Sequence, residues 1–204
     1  MPSAYASFDF LFIAEELSSK LGRATVGEIH MFAYLGCLLS LFKGQPVAEW
    51  GYSFAGLESG SPFSPELQEA YTELERAGSV TSEGSSVAVT GLGKQQVEVF
   101  NSLKMFVPRK LYLGAACASL LSFPVGMVRN AMSMGPGLRP VLNVGGIRPL
   151  LAMASLEQLH EHFDALFSVL GQTSDLLVPS TVWLTYLLEL SRKRDHELVS
   201  RASV

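Results

Sequence analysis

The densest grouping of chemically capable side chains is Glu157-x-x-His160-Glu161-His162-x-Asp164. On a helix, Glu157, His160, Glu161 and Asp164 share one face through i, i+3 and i, i+4 spacing. Imidazole and carboxylate together are a donor set for a divalent metal. A metal site in a helical bundle also draws ligands from a second, matching helix, and the sequence contains none. The cluster is therefore expected as the solvated face of an amphipathic helix. His30 lies alone in an apolar stretch and His196 alone in a charged tail.

Other chemistries fail on particular residues. Gly93-Lys94 invites comparison with a phosphate loop, but Ala88 stands where the first glycine belongs and Gln95 where Ser or Thr is needed. Gly51-Tyr52-Ser53-Phe54-Ala55 has Ala in place of the last glycine of a nucleophile elbow. Gly135-Pro136-Gly137 and Gly145-Gly146 read as turns, not dinucleotide fingerprints. Cys37 and Cys117, the two cysteines, are too few for a disulfide framework or a zinc site. They are expected as buried free thiols in a reducing cytoplasm. No two carboxylates are placed for acid–base work. The expectation is a protein with no catalytic residues, metal or cofactor.

The chain has 204 residues, of which 48% are hydrophobic and 17% charged. That is richer in apolar residues than a disordered chain allows and poorer in charge than a typical domain. It suggests surface buried in a complex. The net charge of −4 is unevenly spread. Residues 1–103 carry 5 Lys and Arg against 12 Asp and Glu, and residues 104–204 carry 10 against 7. No acid lies between Glu98 and Glu157, while Lys104, Arg109, Lys110, Arg129, Arg139 and Arg148 do. The N-terminus lacks a basic segment and meets acids by Glu15, unlike a signal peptide. The longest apolar run, Leu111 to Val128, is broken by Gly114, Pro124 and Gly126, so no membrane span is expected.

These residues are positioned by a mainly helical framework. Helices are expected from Phe8 to Lys20 and from Thr25 to Phe42. Thr25 with Glu28 three residues on has capping-box spacing. Trp50, Tyr52 and Phe54 alternate, which fits a short strand. Ser64-Pro65-Glu66 starts a helix that runs to Arg76-Ala77 and stops at Gly78. Val80-Thr81, a Glu83-Gly84 turn and Val87-Ala88-Val89 make a hairpin. Thr90 then caps a helix from Gly91 to Leu103. From Met105 the chain reads as all helical: Arg109 to Phe123, Pro124 to Met134, a punctuated stretch to Pro149, Ser155 to Leu170, and Ser180 to Arg194 with Ser180 as cap. The tail from Asp195 is expected to fray.

The order helix, glycine stop, hairpin, capped helix resembles the second half of a winged-helix domain. Leu74-Glu75-Arg76-Ala77-Gly78 and Val89-Thr90-Gly91-Leu92-Gly93 carry the likeness, with Val in the place of a usual Leu. The likeness spans roughly residues 25–103. It implies a winged-helix domain over 1–103, followed by a helical domain over 104–204. The helix before the wing, which reads DNA in many such domains, holds Glu66, Glu69, Glu73 and Glu75 against Arg76. Phosphate binding rests on Lys and Arg, so protein contact is the expected use.

A broader resemblance rests on Gly44-Gln45-Pro46, Glu49-Trp50-Gly51-Tyr52-x-Phe54, Gly60-Ser61-Pro62-Phe63-Ser64, the winged-helix motifs and the stretch from Arg109 to Met132. Together, over about residues 25–190, they are similar to the middle components of bacterial three-component defence systems, of which Lamassu-type systems are examples. The resemblance implies a small non-enzymatic scaffold that links an ABC or SMC-type ATPase to an effector. The alternative is a winged-helix transcription regulator or antitoxin. If DNA is contacted, Arg109, Lys110 and Arg129 are the candidate phosphate contacts. Trp50, Tyr52 and Phe54 are candidate partner contacts, or else close the core. Met127 and Met132 suit an adaptable binding surface and an irregular core equally.

Overall fold

The computed structural model describes residues 3–144, 147–171, 173 and 175–202, with the side chains of 142–144 and 194–202 outside the description. It is mainly helical with two small antiparallel sheets. The expected turn at Gly145-Gly146 lies outside the described residues.

Helix α1 (Ala4–Leu21) ends at Gly22, whose φ of 74° permits its N–H to reach the Ser18 carbonyl. It begins four residues earlier than the pattern suggested, and nine of its residues are buried. Strand β1 (Ala24–Thr25) leads into α2 (Val26–Phe42). The expected capping box is formed: the Glu28 N–H donates to Thr25 Oγ1 at 3.3 Å, and the Thr25 N–H donates to Glu28 Oε2 at 2.9 Å. Helix α2 is buried on every side from Ile29 to Leu41, the outcome its continuous apolarity predicts.

The aromatic segment is not a strand. Val47–Trp50 form a 3-10 turn, and only Ala55–Gly56 (β2) and Pro62–Phe63 (β3) are strands. Helix α3 (Pro65–Arg76) starts as expected, with Ser64 Oγ accepting from the Leu67 N–H. Strands β4 (Val80–Glu83) and β5 (Ser86–Val89) pair from Val80↔Val89 to Glu83↔Ser86, turning at Gly84. Strand β1 adds to β5 through Ala24↔Val87, giving the order β1-β5-β4.

Helix α4 (Gly91–Ser102) has a locally determined entrance. Thr90 Oγ1 accepts the Gly93 N–H at 3.2 Å and lies 2.8 Å from the Gly78 carbonyl to which it donates. A Cβ on Gly93 would collide with the Ser79 carbonyl oxygen and meet Val89 Cγ1 at 2.7 Å. The Thr-x-x-Gly spacing thus locks the helix onto the end of the hairpin.

A 3-10 turn at Lys104–Phe106 leads into α5 (Val107–Ala118), extended by a second turn at Ser119–Leu121. Then come α6 (Val125–Ser133), α7 (Arg139–Val144), β6 (Arg148–Pro149), α8 (Met153–Leu170) and α9 (Leu177–Ala202). The expected turn at Gly135-Pro136-Gly137 is present between α6 and α7. Residues beyond Met105 are not all helical: β6 pairs with β2 through Gly56↔Arg148, making the sheet β3-β2-β6. Helix α9 begins before Ser180, with Asp175 Oδ1 accepting the Leu177 N–H at 2.8 Å. Ser180 is therefore inside the helix and buried, not its cap. The tail expected to fray stays helical through Ala202.

One buried cluster holds both halves together. Phe106 packs on Phe8 and Phe100 with ring centroids 4.6 and 5.1 Å apart. Burying such a ring contributes about 1.5–3 kcal/mol. Helices α2 and α5 approach closely at Gly36, where an added Cβ would lie 2.7 Å from Leu113 Cδ2. Cys37 and Cys117 are buried free thiols, and burial pushes both well above the usual thiol range.

Candidate functional site

Helix α1 places Asp9 in the core, and the first turns of α5 bring Arg109 to it. Arg109 Nε donates to Asp9 Oδ1 at 2.5 Å and Nη2 to Oδ2 at 2.7 Å. Tyr52 Oη donates to Oδ2 at 2.5 Å. The guanidinium also lies 3.9 Å from the Trp50 ring centroid, 4.8 Å from Tyr5 and 5.3 Å from Tyr52. Burial raises the Asp9 carboxyl against the opposing pull of Arg109. For Arg109, burial acts downward, and the Asp9 charge, the hydrogen bonds to Asp9 and the Tyr52 hydroxyl together outweigh it, so its pKa is raised. A cleft of about 400 Å³ opens beside this cluster between Gln45, Glu49, Met105 and Tyr112. It offers no free cation, because Arg109 is committed to Asp9. It offers no activated nucleophile, because Ser40 Oγ donates to the Cys37 carbonyl.

This geometry corrects two expectations. Arg109 is buried in a fork-to-fork ion pair and is not available to a phosphate. Trp50, Tyr52 and Phe54 are buried. Trp50 and Tyr52 lie against Arg109, and Tyr52 continues through Phe54 at 5.3 Å into Tyr34 at 5.2 Å, so all three close the core and present no partner contact. Met132 is also buried, and Met127 alone of the two reaches the surface. Lys110 and Arg129 are exposed, and neither forms an ion pair among the described residues. Arg129 borders a cavity of about 60 Å³ with Gly60, Ser61 and Pro62.

Glu157, His160, Glu161 and Asp164 are exposed on α8. Among the described residues, no group of three or more potential ligands is placed to hold a metal. His160 and Asp164 border a groove of about 420 Å³ whose walls are mostly apolar, with Phe42, Phe163 and Phe167. His162 turns away from them, edge-on to Tyr186 at 5.3 Å. His30 is buried, accepts the Ser64 N–H on Nδ1 at 3.0 Å and stacks on Phe63. Burial pushes its pKa down to about 4. It ties α2 to the start of α3, as a neutral structural residue.

The surface of the first half is acidic around α3. Glu73 pairs with Arg76, and Tyr71 and Ser82 hydroxyls both donate to Glu75. Beside it, Leu74, Leu92, Val99 and Phe100 line an apolar groove of about 550 Å³. Leu92 and Val99 are 47% and 62% exposed. Further large apolar side chains stand exposed at Leu103, Met105, Val107, Leu111 and Leu121. The sequence did not single out these residues, since a helix apolar on both faces does not show which face the core takes. Among the described residues, no single helix is long and apolar enough to cross a membrane. The pair Lys104–Leu121 and Val125–Ser133 reaches that composition only together, bent by 115°.

Comparison with protein-family models, curated proteins and solved structures finds no match to this chain.

Proposed function

We propose that the chain is a non-catalytic assembly subunit whose first half is a winged-helix module used for protein contact. The observation that carries this reading is the run of large apolar side chains left exposed from α4 through α5 and its extension, at Leu92, Val99, Leu103, Met105, Val107, Leu111 and Leu121. The order of α1, β1, α2, α3 and the β4–β5 hairpin, with β1 paired to β5, supports the winged-helix reading. The acidic surface of α3 argues against groove reading by that helix. The buried Asp9–Arg109 pair gives the second half a fixed seat on the first. In line with the resemblance noted above, the complex is a bacterial ATPase-driven defence assembly, with an ABC or SMC-type ATPase and an effector as partners. The test is affinity purification of the tagged chain from its native host, with and without nuclease, read by mass spectrometry. Recovery of a large ATPase that survives nuclease supports the reading. Recovery of nucleic acid alone, with every protein partner lost on nuclease treatment, would replace it with the DNA-binding regulator.

A further inference from the structure

The outward face of α5 repeats at a regular interval. Val107, Leu111, Gly114 and Ala118 follow one another at steps of four and three, the spacing of a coiled-coil seam, and Leu121 in the following 3-10 turn adds an exposed apolar end. The opposite face, Phe106, Arg109, Leu113, Ala116 and Cys117, is the one buried in the core. Val107, Leu111 and Leu121 are 60%, 50% and 74% exposed. Between these large ends the seam is small, and a side chain built on Gly114 would enter open space. A second helix crossing there can approach closely, because the separation of packed helices is set by the side chains at the contact.

Charge selects the occupant. Lys110 sits at the position flanking the seam next to Leu111, and Lys104 one turn before Val107. Both are exposed and neither is ion-paired among the described residues. Arg109, the remaining cation, is neutralised by Asp9. The stretch between Glu98 and Glu157 carries no acid of its own, and Glu49, in the cleft beside Met105, Pro108 and Tyr112, pairs with neither lysine among the described residues. A second copy of α5 would bring only cations and no acid to the contact, which disfavours self-pairing. We infer that α5 is the docking face for an amphipathic helix of a partner protein, with an apolar seam flanked by Asp and Glu. This rests on the assembly reading and gives it a surface.

The experiment places the photo-crosslinker p-benzoylphenylalanine at position 111 of the tagged chain in its native host. After irradiation the linked segment is sequenced. The expected result is one helical segment of another protein, with acidic residues beside its apolar seam. The charge-reversing double substitution Lys104→Glu with Lys110→Glu is expected to lower partner recovery at least about tenfold, and Leu111→Glu to do the same. The melting temperature of each variant checks that the fold is intact, since all three positions are exposed. Linkage to a second copy of this chain, linkage to a basic segment, or unchanged recovery in both variants would overturn the α5 surface. If the ATPase still co-purifies in those cases, the assembly reading stands without this surface. If wild-type chain recovers no partner at all, both fall.

Discussion

Asp9 and Arg109 lie 100 residues apart in sequence and meet as a buried bidentate pair. Removing one partner of such a pair leaves an uncompensated buried charge, at a cost of about 3–5 kcal/mol. Arg109→Leu is therefore expected to destabilise the chain by that amount in urea unfolding. Asp9→Leu combined with the same Arg109→Leu should cost less than the two single changes added together, which a double-mutant cycle measures. His30 gives a second expectation, with its sign fixed by linkage. Its folded pKa of about 4 lies below the ordinary value of 6.5, so the unfolded chain binds the proton more readily in between. The contribution is whole above about pH 6.5 and is lost as pH falls toward 4, on the order of 3 kcal/mol. Denaturation curves at the two ends of that window, for wild type and His30→Gln, read the difference. Little at this scale was legible beforehand. Arg109 looked like one more cation in an acid-free stretch, because nothing local marks a partner so distant. Trp50, Tyr52 and Phe54 had two readings open, and their burial, with Trp50 and Tyr52 packed on the distant Arg109, decides for the core.

The elements were far more legible where their ends are set by neighbouring residues. Thr25 with Glu28, Ser64 with Pro65, and Thr90 with Gly93 each act within four residues, so the sequence displays them. Gly93→Ala forces a Cβ into the Ser79 carbonyl and is expected to cost about 1–3 kcal/mol in thermal or urea unfolding. Thr90→Val removes the α4 cap and two bonds to carbonyls, and should cost about 1–2 kcal/mol. Strand β6 was not legible, because two residues gain strand character only by pairing with β2 across the fold. The outward seam of α5 was present in the spacing but hidden. Both faces of that helix are apolar, and periodicity does not say which one the core takes. Ser180 misled for a related reason: Asp175, five residues earlier, supplies the acceptor at the start of α9.

For the whole molecule, the division of charge and the division of apolar surface point the same way. The first half carries the excess of acids, and the exposed apolar side chains from Leu92 to Leu121 lie where it meets the basic stretch. Nonspecific association with DNA through Lys104, Lys110 and Arg129 should be weak and lost as salt rises, with no preference for sequence, which a titration at two salt concentrations checks. The central claim is membership in a complex. Its most direct test is the native mass of the tagged chain purified gently from its host and treated with nuclease. The account predicts a species far above the 22.1 kDa of the chain alone, containing a large ATPase. A nuclease-treated monomer of 22.1 kDa with no protein partner would contradict it.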